Sequence, residues 1–145
     1  MNIVIANTFY PPDGRGGAER SVRVLAEGLA EAGHRVSVLC TSKVQFESVS
    51  KGVAIFGLGR MNVYWIGSNE SIGRILKLIW HTFDLFNPVS FVRCLRLLKR
   101  INPEILHTNN ITGLSPSIIL AAKILGISTV HTLRDYYLGC IHSNA

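Results

Sequence analysis

A short aliphatic run, a glycine-bearing loop, an amphipathic stretch and a second β-branched run follow one another at the start of the chain. That order constrains the fold more than any other feature. Asn2–Ala6 (NIVIA) suits a strand buried on both faces. Ala18, Val22, Leu25, Leu29 and Ala32 then recur at helical spacing and mark one apolar face. Gly33 stands where a helix C-cap glycine belongs, and Val36–Cys40 is the second strand. A strand, a helix of about four turns and another strand make a βαβ unit, whose crossover is right-handed and implies a parallel sheet. The expected class is therefore α/β: a Rossmann-like open parallel sheet with flanking helices.

The same grammar recurs downstream. Val53–Phe56 and Val63–Ile66 read as short strands that form either a hairpin or an extension of the sheet edge. Ile72, Ile75, Leu76, Ile79 and Phe83 form a helical stripe. Asn87 and Pro88 give an N-cap and a first helical position for a helix whose apolar face is Phe91, Leu95 and Leu98. Arg93, Arg96, Lys99 and Arg100 lie largely off that face, and Asn102–Pro103 ends it. Glu104–His107 is the next strand, Thr108–Gly113 the next polar loop, and Ser115–Pro116 opens a helix closed by Gly126. Ser128–Leu133 is a further strand. Without a linker, repeat or low-complexity tract, residues 1–145 are expected to form one domain.

Composition closes off several function classes. A chain of 145 residues with 48% hydrophobic and 17% charged residues is an ordered globular chain. Three cysteines with no CxxC pair support neither a zinc ribbon nor a disulfide framework, and suit reduced structural thiols in a cytosolic protein. Met1 leads straight into the first strand with no secretory pattern. Leu76–Leu98 is apolar, but Lys77, Asp84 and Arg93 interrupt it and Pro88 breaks it, so it is not a membrane span. The expected location is cytoplasmic. The formal charge of +6 suits anionic partners without choosing among them.

Three stretches carry chemistry. The loop NTFYPPDGRGG, Asn7 to Gly17, joins the first strand to the first helix. Ligands in open parallel sheets sit beyond the C-terminal strand ends. Gly16 and Gly17 leave main-chain amides open at a helix N-terminus, where a phosphate is the natural guest; the alternative is a tight turn with no ligand. Gly14, Gly16 and Gly17 do not complete G-x-G-x-x-G, and Cys40, Thr41 and Ser42 stand where an acidic ribose partner would end the second strand. No Gly-Lys-Ser/Thr follows, so a P-loop is excluded. Glu19 is a first-turn acid favoured by the helix dipole, or a support for the loop. In ILHTNNITGLSP, His107, Asn109 and Asn110 fall on the same rim and suit a polyol or sugar, unless His107 is a core histidine and the asparagines cap a turn. In VHTLRDYY, Arg134 and Asp135 pair with each other, or Arg134 meets a phosphate.

Together these stretches resemble the N-terminal domain of glycosyltransferase family 4, retaining nucleotide-sugar-dependent enzymes with the GT-B fold of two facing Rossmann-like domains. The matching segments are PPDGRGGAERSVRVLAEGLAEAGHRVSVL, PEILHTNNITGLSPSIILAAKILGISTVHTLRDYYL and the softer FNPVSFVRCLRLLKRINP. The resemblance implies that this is the acceptor-side half of a GT-B enzyme, C-terminally incomplete, with the donor-binding domain absent and a gene that continues past Ala145. It implies a hexosyltransferase type of activity in polysaccharide biosynthesis, inactive in this portion alone. It implies no cofactor beyond the nucleotide-sugar donor substrate, no metal, and a glycan or lipid-linked acceptor. It does not imply a nucleic-acid partner.

Donor diphosphate contacts map by resemblance to Gly16 and Gly17. Acceptor or sugar contacts map to Tyr10, Asn109, Asn110, Arg134 and Asp135. His107 and Asn109 are the weak catalytic candidates. Many members carry histidine–x–histidine where this chain has His107 and Asn109, and histidine where it has Arg134. Asparagine relays no proton, so Asn109 is expected to hydrogen-bond rather than to act as acid or base. Two other expectations stay open: a split enzyme completed by a separate donor-domain chain, and a plain Rossmann nucleotide-binding module. The basic segment Arg74–Arg100 suits either a solvated helix face or peripheral contact with an anionic membrane, at its inner face. Exposed apolar surface is expected near Val130 and Leu133.

Overall fold

The structure is a computed structural model that describes residues 1–11, 13, 16–59 and 87–134. Six strands form one mixed sheet: β1 (Asn2–Ala6), β2 (Arg35–Cys40), β3 (Gln45–Ser50), β4 (Val53–Leu58), β5 (Ile105–Thr108) and β6 (Ser128–His131). Their order is β3-β4-β2-β1-β5-β6. All neighbours pair in parallel except β3, which runs antiparallel to β4 as a hairpin at one edge. Among the described residues the helices are α1 (Gly17–Glu31), α2 (Pro88–Ile101) and α3 (Ser117–Ile124).

Side-chain alternation on the central strands feeds two cores. Val4, Ala6, Leu39 and Leu106 face α2 and α3, where they meet Cys94, Leu98, Ile118 and Ala122. Ile3, Ile5, Val36, Val38 and Cys40 face α1 and pack on Val22 and Ala26. Burial of these aliphatic groups from both sides explains why β1 and β2 read as unbroken apolar runs. The buried thiols Cys40 and Cys94 have pKa values pushed up to about 12 by desolvation, so both are inert core residues.

Helix boundaries follow local chemistry. Asn87 caps α2 by accepting from the Val89 and Ser90 amides, both at 3.0 Å, with Pro88 at the first position. Gly33, at φ +86°, follows the end of α1 in the left-handed region that L side chains disfavour. Ahead of α3, Ser115 accepts from the Ser117 amide at 3.3 Å while Pro116 occupies the cap itself.

Several expectations shift. The strand that pairs with β4 at the sheet edge is β3, a stretch that carries no strand signal in the sequence. All six of its residues are exposed, so no apolar alternation marks it, and its strand character comes from pairing with β4. Gly57 admits that pairing, since a Cβ there would overlap the Phe46 ring. Val63–Ile66 and the stripe from Ile72 to Phe83 lie outside the described residues, as do Gly14, Asp135 and Cys140. At the opposite edge, Val130 is 51% and Leu133 73% exposed, as the sequence leads one to expect.

Candidate functional site

Strand order reverses between β1 and β5. From β1 the chain proceeds outward through β2 and β4, and from β5 outward the other way to β6. The loops that leave β1 and β5 therefore diverge over a crevice at the C-terminal strand ends, where open α/β sheets bind ligands.

The floor of that crevice is a closed hydrogen-bond lattice. Asn7 and Thr8, just past β1, are buried. The Asn7 amide donates to Leu39 O at 3.0 Å, and its side chain donates to Phe9 O at 2.8 Å. Its Oδ1 accepts from the Asn110 amide at 3.2 Å. Thr8 joins three strand ends at once. Its amide donates to Asn110 O at 2.7 Å, its hydroxyl reaches Asn110 Oδ1 at 2.8 Å and Thr112 O at 2.9 Å, and its carbonyl accepts from Thr41 N and Oγ1 at 2.9 and 2.6 Å. Buried polar groups satisfied in this way hold the loop bases rigid.

Against that floor stands the exposed N-terminus of α1. Gly16 is its N-cap in extended geometry, with no side-chain cap bond, and Gly17 is its first residue. A Cβ on Gly17 would meet nothing, and one on Gly16 would meet the Glu19 carboxylate. Both glycines stand at an open helix N-terminus, as their place between strand and helix in the sequence leads one to expect.

The opposite wall comes from β5 and β6. The Asn109 side chain, only 2% exposed, accepts from Arg134 Nε through Oδ1 at 2.7 Å. Its Nδ2 is buried without an acceptor. Arg134 also donates from Nη1 to Ser21 Oγ on α1 at 2.7 Å, which ties the two walls together. His107 Nε2 lies 2.7 Å from Thr132 Oγ1, and His131 Nδ1 lies 2.8 Å from Thr108 Oγ1. Burial, with Arg134 and His131 nearby, lowers the His107 pKa below its ordinary value and favours the neutral ring.

Two of the expected contacts are also engaged within the fold. Tyr10 is 5% exposed and packs with Val22, Ala26 and Val38, and burial raises its phenol pKa. Asn110 spends Oδ1 on Thr8 and on the Thr112 amide at 3.0 Å, so its carbonyl end is a joint of the floor. His107 and Asn109 sit on the rim, with the His107 Nε2 already engaged. Ser21, Thr8 and Thr132 join the site with no signal in the sequence. Each is a common hydroxyl residue with no local signature, and each becomes notable only through a partner distant in sequence. Among the described residues, no cluster of three His, Cys, Asp or Glu side chains forms a metal site, and no helix is long and apolar enough to cross a membrane.

Comparison with known proteins gives this geometry a context. The sequence profile described as Glycosyltransferase Family 4 matches residues 15–143. A 42.6 kDa protein of the cps region of Klebsiella pneumoniae is 38% identical across 99% of the chain, which spans 39% of that protein's length. Sucrose-phosphate synthase from Thermosynechococcus elongatus superposes with a TM-score of 0.60 at 16% identity, over 98% of this chain and 36% of that one. The catalytic domain of starch synthase IV from Arabidopsis thaliana, bound to ADP and acarbose, gives 0.56 at 15% identity over 93% and 34%. The calicheamicin glycosyltransferase CalG4 gives 0.57 at 13% identity over 91% and 32%. The shared fold is that of GT-B glycosyltransferases, matched over part of their chains.

Proposed function

The chain belongs to glycosyltransferase family 4, and we propose that it forms the acceptor-side half of a retaining, nucleotide-sugar-dependent hexosyltransferase. In this reading the glycine loop touches the donor diphosphate across a cleft. A donor-binding domain, in the same chain or a separate one, holds the nucleotide and sugar. The acceptor is a glycan or a lipid-linked sugar, and the enzyme serves polysaccharide biosynthesis from the cytoplasmic side, with peripheral contact at an anionic membrane surface.

The single observation that carries the reading is the pairing of an uncapped, exposed α1 N-terminus at Gly16–Gly17 with the Asn109–Arg134 wall at the strand-order reversal. The chemistry balances without an acid–base pair from this half. The anomeric carbon–phosphate oxygen bond breaks, the acceptor oxygen bonds that carbon on the same face, and the acceptor proton passes to the departing phosphate oxygen. The protein supplies positioning and charge stabilisation. Asn109 cannot accept a proton and His107 is hydrogen-bonded to Thr132, which suits that route.

Calorimetric titration with a panel of sugar nucleotides and with NAD tests the donor assignment. Heat with a sugar nucleotide and none with NAD is expected; heat with NAD alone overturns it. Sugar transfer should appear only when a donor-binding domain is supplied, with retained anomeric configuration by NMR; an inverted product overturns retention. Vesicle co-sedimentation should be stronger with anionic than with neutral lipid.

A further inference from the structure

We infer that the groove between the β3–β4 hairpin and α2 is a second ligand site, which binds a carboxylate-bearing sugar of an acidic oligosaccharide. Only the identification of that sugar with part of the acceptor glycan rests on the acceptor reading above.

The groove lies on the sheet face that α2 covers and encloses a cavity of about 280 Å3. Its upper end is at Leu58, the last residue of β4, on the same C-terminal rim as the crevice. Arg93, Arg96 and Arg100 recur at spacings of three and four, so α2 lines the groove with a stripe of guanidinium groups about 10 Å long. Arg93 Nη1 donates to Leu58 O at 2.7 Å and ties the helix to the end of β4. The half-buried Phe56 ring also lines the groove, and the Arg100 guanidinium lies over it, 5.3 Å from its centre. Arg100 Nη2 donates to Glu47 Oε1 on β3 at 2.6 Å, which joins the hairpin to the helix. Arg96 is exposed and makes no hydrogen bond or ion pair among the described residues.

Three arginines against one carboxylate leave the groove positive, so its ligand is an anion. The other lining groups choose the kind of anion. A phosphate takes donors only, and Glu47 repels it. A sugar acid offers a carboxylate, which one guanidinium binds through two N–H groups, and hydroxyls, which donate to Glu47 and to the Gln45 side chain. The C–H face of a sugar ring packs on an aromatic face, and Phe56 supplies one. Arg96, with its donors unspent, takes the carboxylate. Arg100, held by Glu47 and Phe56, borders the ring. The site holds a sugar outside the crevice and makes or breaks no bond.

Tetragalacturonate is the probe, and its methyl ester is the neutral control with the same rings. In 15N NMR of the chain the acid should shift Arg96 and Arg100 Nε, and by calorimetry the ester should bind at least about tenfold more weakly. Arg96→Gln should weaken the acid about threefold to tenfold with the melting temperature unchanged. Phe56→Leu should weaken it about threefold at constant charge, a change that a general attraction between charges does not sense. Equal binding of acid and ester, or equal binding by the wild type and both variants, overturns the inference. So does binding of inorganic phosphate, or of phosphatidylglycerol–phosphatidylcholine vesicles, through Arg96 while tetragalacturonate is silent. Arg96→Gln should leave the heat with sugar nucleotides as it is in the wild type. Tetragalacturonate binding at Arg96 without sugar-nucleotide binding keeps the groove site and removes the donor reading; the reverse result removes the groove site alone.

Discussion

Two helix N-termini in this molecule are built in opposite ways. At α2, Asn87 is buried and its Oδ1 accepts from two backbone amides, while its own amide donates to Ser115 Oγ at 3.2 Å. At α1, the cap is an exposed glycine with no side-chain bond, and the Glu19 carboxylate of the first turn lies beside it. Both helices pack on the same sheet, one on each face. The first terminus is closed and serves stability. The second leaves its donors unspent and costs the helix part of its stability, a pattern expected where a ligand completes the site.

That contrast can be broken in several ways. The largest effect is expected at the base of the open terminus. Thr8→Val removes a hydroxyl that reaches Asn110 and Thr112 and takes a donor from the half-buried Thr112 carbonyl, at a cost of about 1–3 kcal/mol in urea unfolding. A cost near zero would mean that the loop base is not rigid. Next, Asn87→Ala should destabilise by about 1–2 kcal/mol, because the closed cap has no substitute. Gly16→Asp should do the reverse at α1. It adds a capping carboxylate in a backbone conformation any residue adopts, and stabilises by a few tenths of a kcal/mol, while pyrophosphate binding falls sharply. Equal pyrophosphate affinity in the variant would show that the open terminus is not the anion site.

The smallest effect is a pH term from the wall opposite α1. The folded-state pKa of His107 lies below its unfolded value, so the unfolded chain binds the proton first as pH falls. Its contribution to stability is fully present above the unfolded pKa of about 6.5 and is lost as pH falls through the lower folded value. Melts from pH 7.5 to 5 should therefore show a steeper loss for the wild type than for His107→Gln. Parallel curves would mean that the ring is as solvated in the fold as out of it.

The edges of the sheet give a second contrast with its centre. β1 and β2 are buried on both faces, whereas Val130 and Leu133 near β6 stand open to solvent. Leu133→Glu should raise solubility and leave the melting temperature nearly unchanged, since it removes no buried contact.

Local chemistry in the sequence determined a large part of the architecture. The aliphatic run Asn2–Ala6 is β1 residue for residue, because a strand covered on both faces needs no polar alternation. Asn87–Pro88 announced the start of α2 and Gly33 the end of α1, because caps are local bonds made by particular residue types. The glycine pair marked an open helix N-terminus, and Gly16–Gly17 is one. Tertiary structure alone decided the rest. Tyr10 sits in a polar loop by sequence, but the loop folds its ring down onto Val22 and Val38. Asn109 and Arg134 are far apart in the chain, and each departs from the histidine that the family resemblance leads one to expect. Parallel pairing of β5 with β6 brings them into a 2.7 Å hydrogen bond, and Arg134 reaches on to Ser21 in α1. Caps and strands depend on neighbours a few residues away. A site at the reversal of strand order depends on which strands lie side by side, and burial of the whole sheet sets that order.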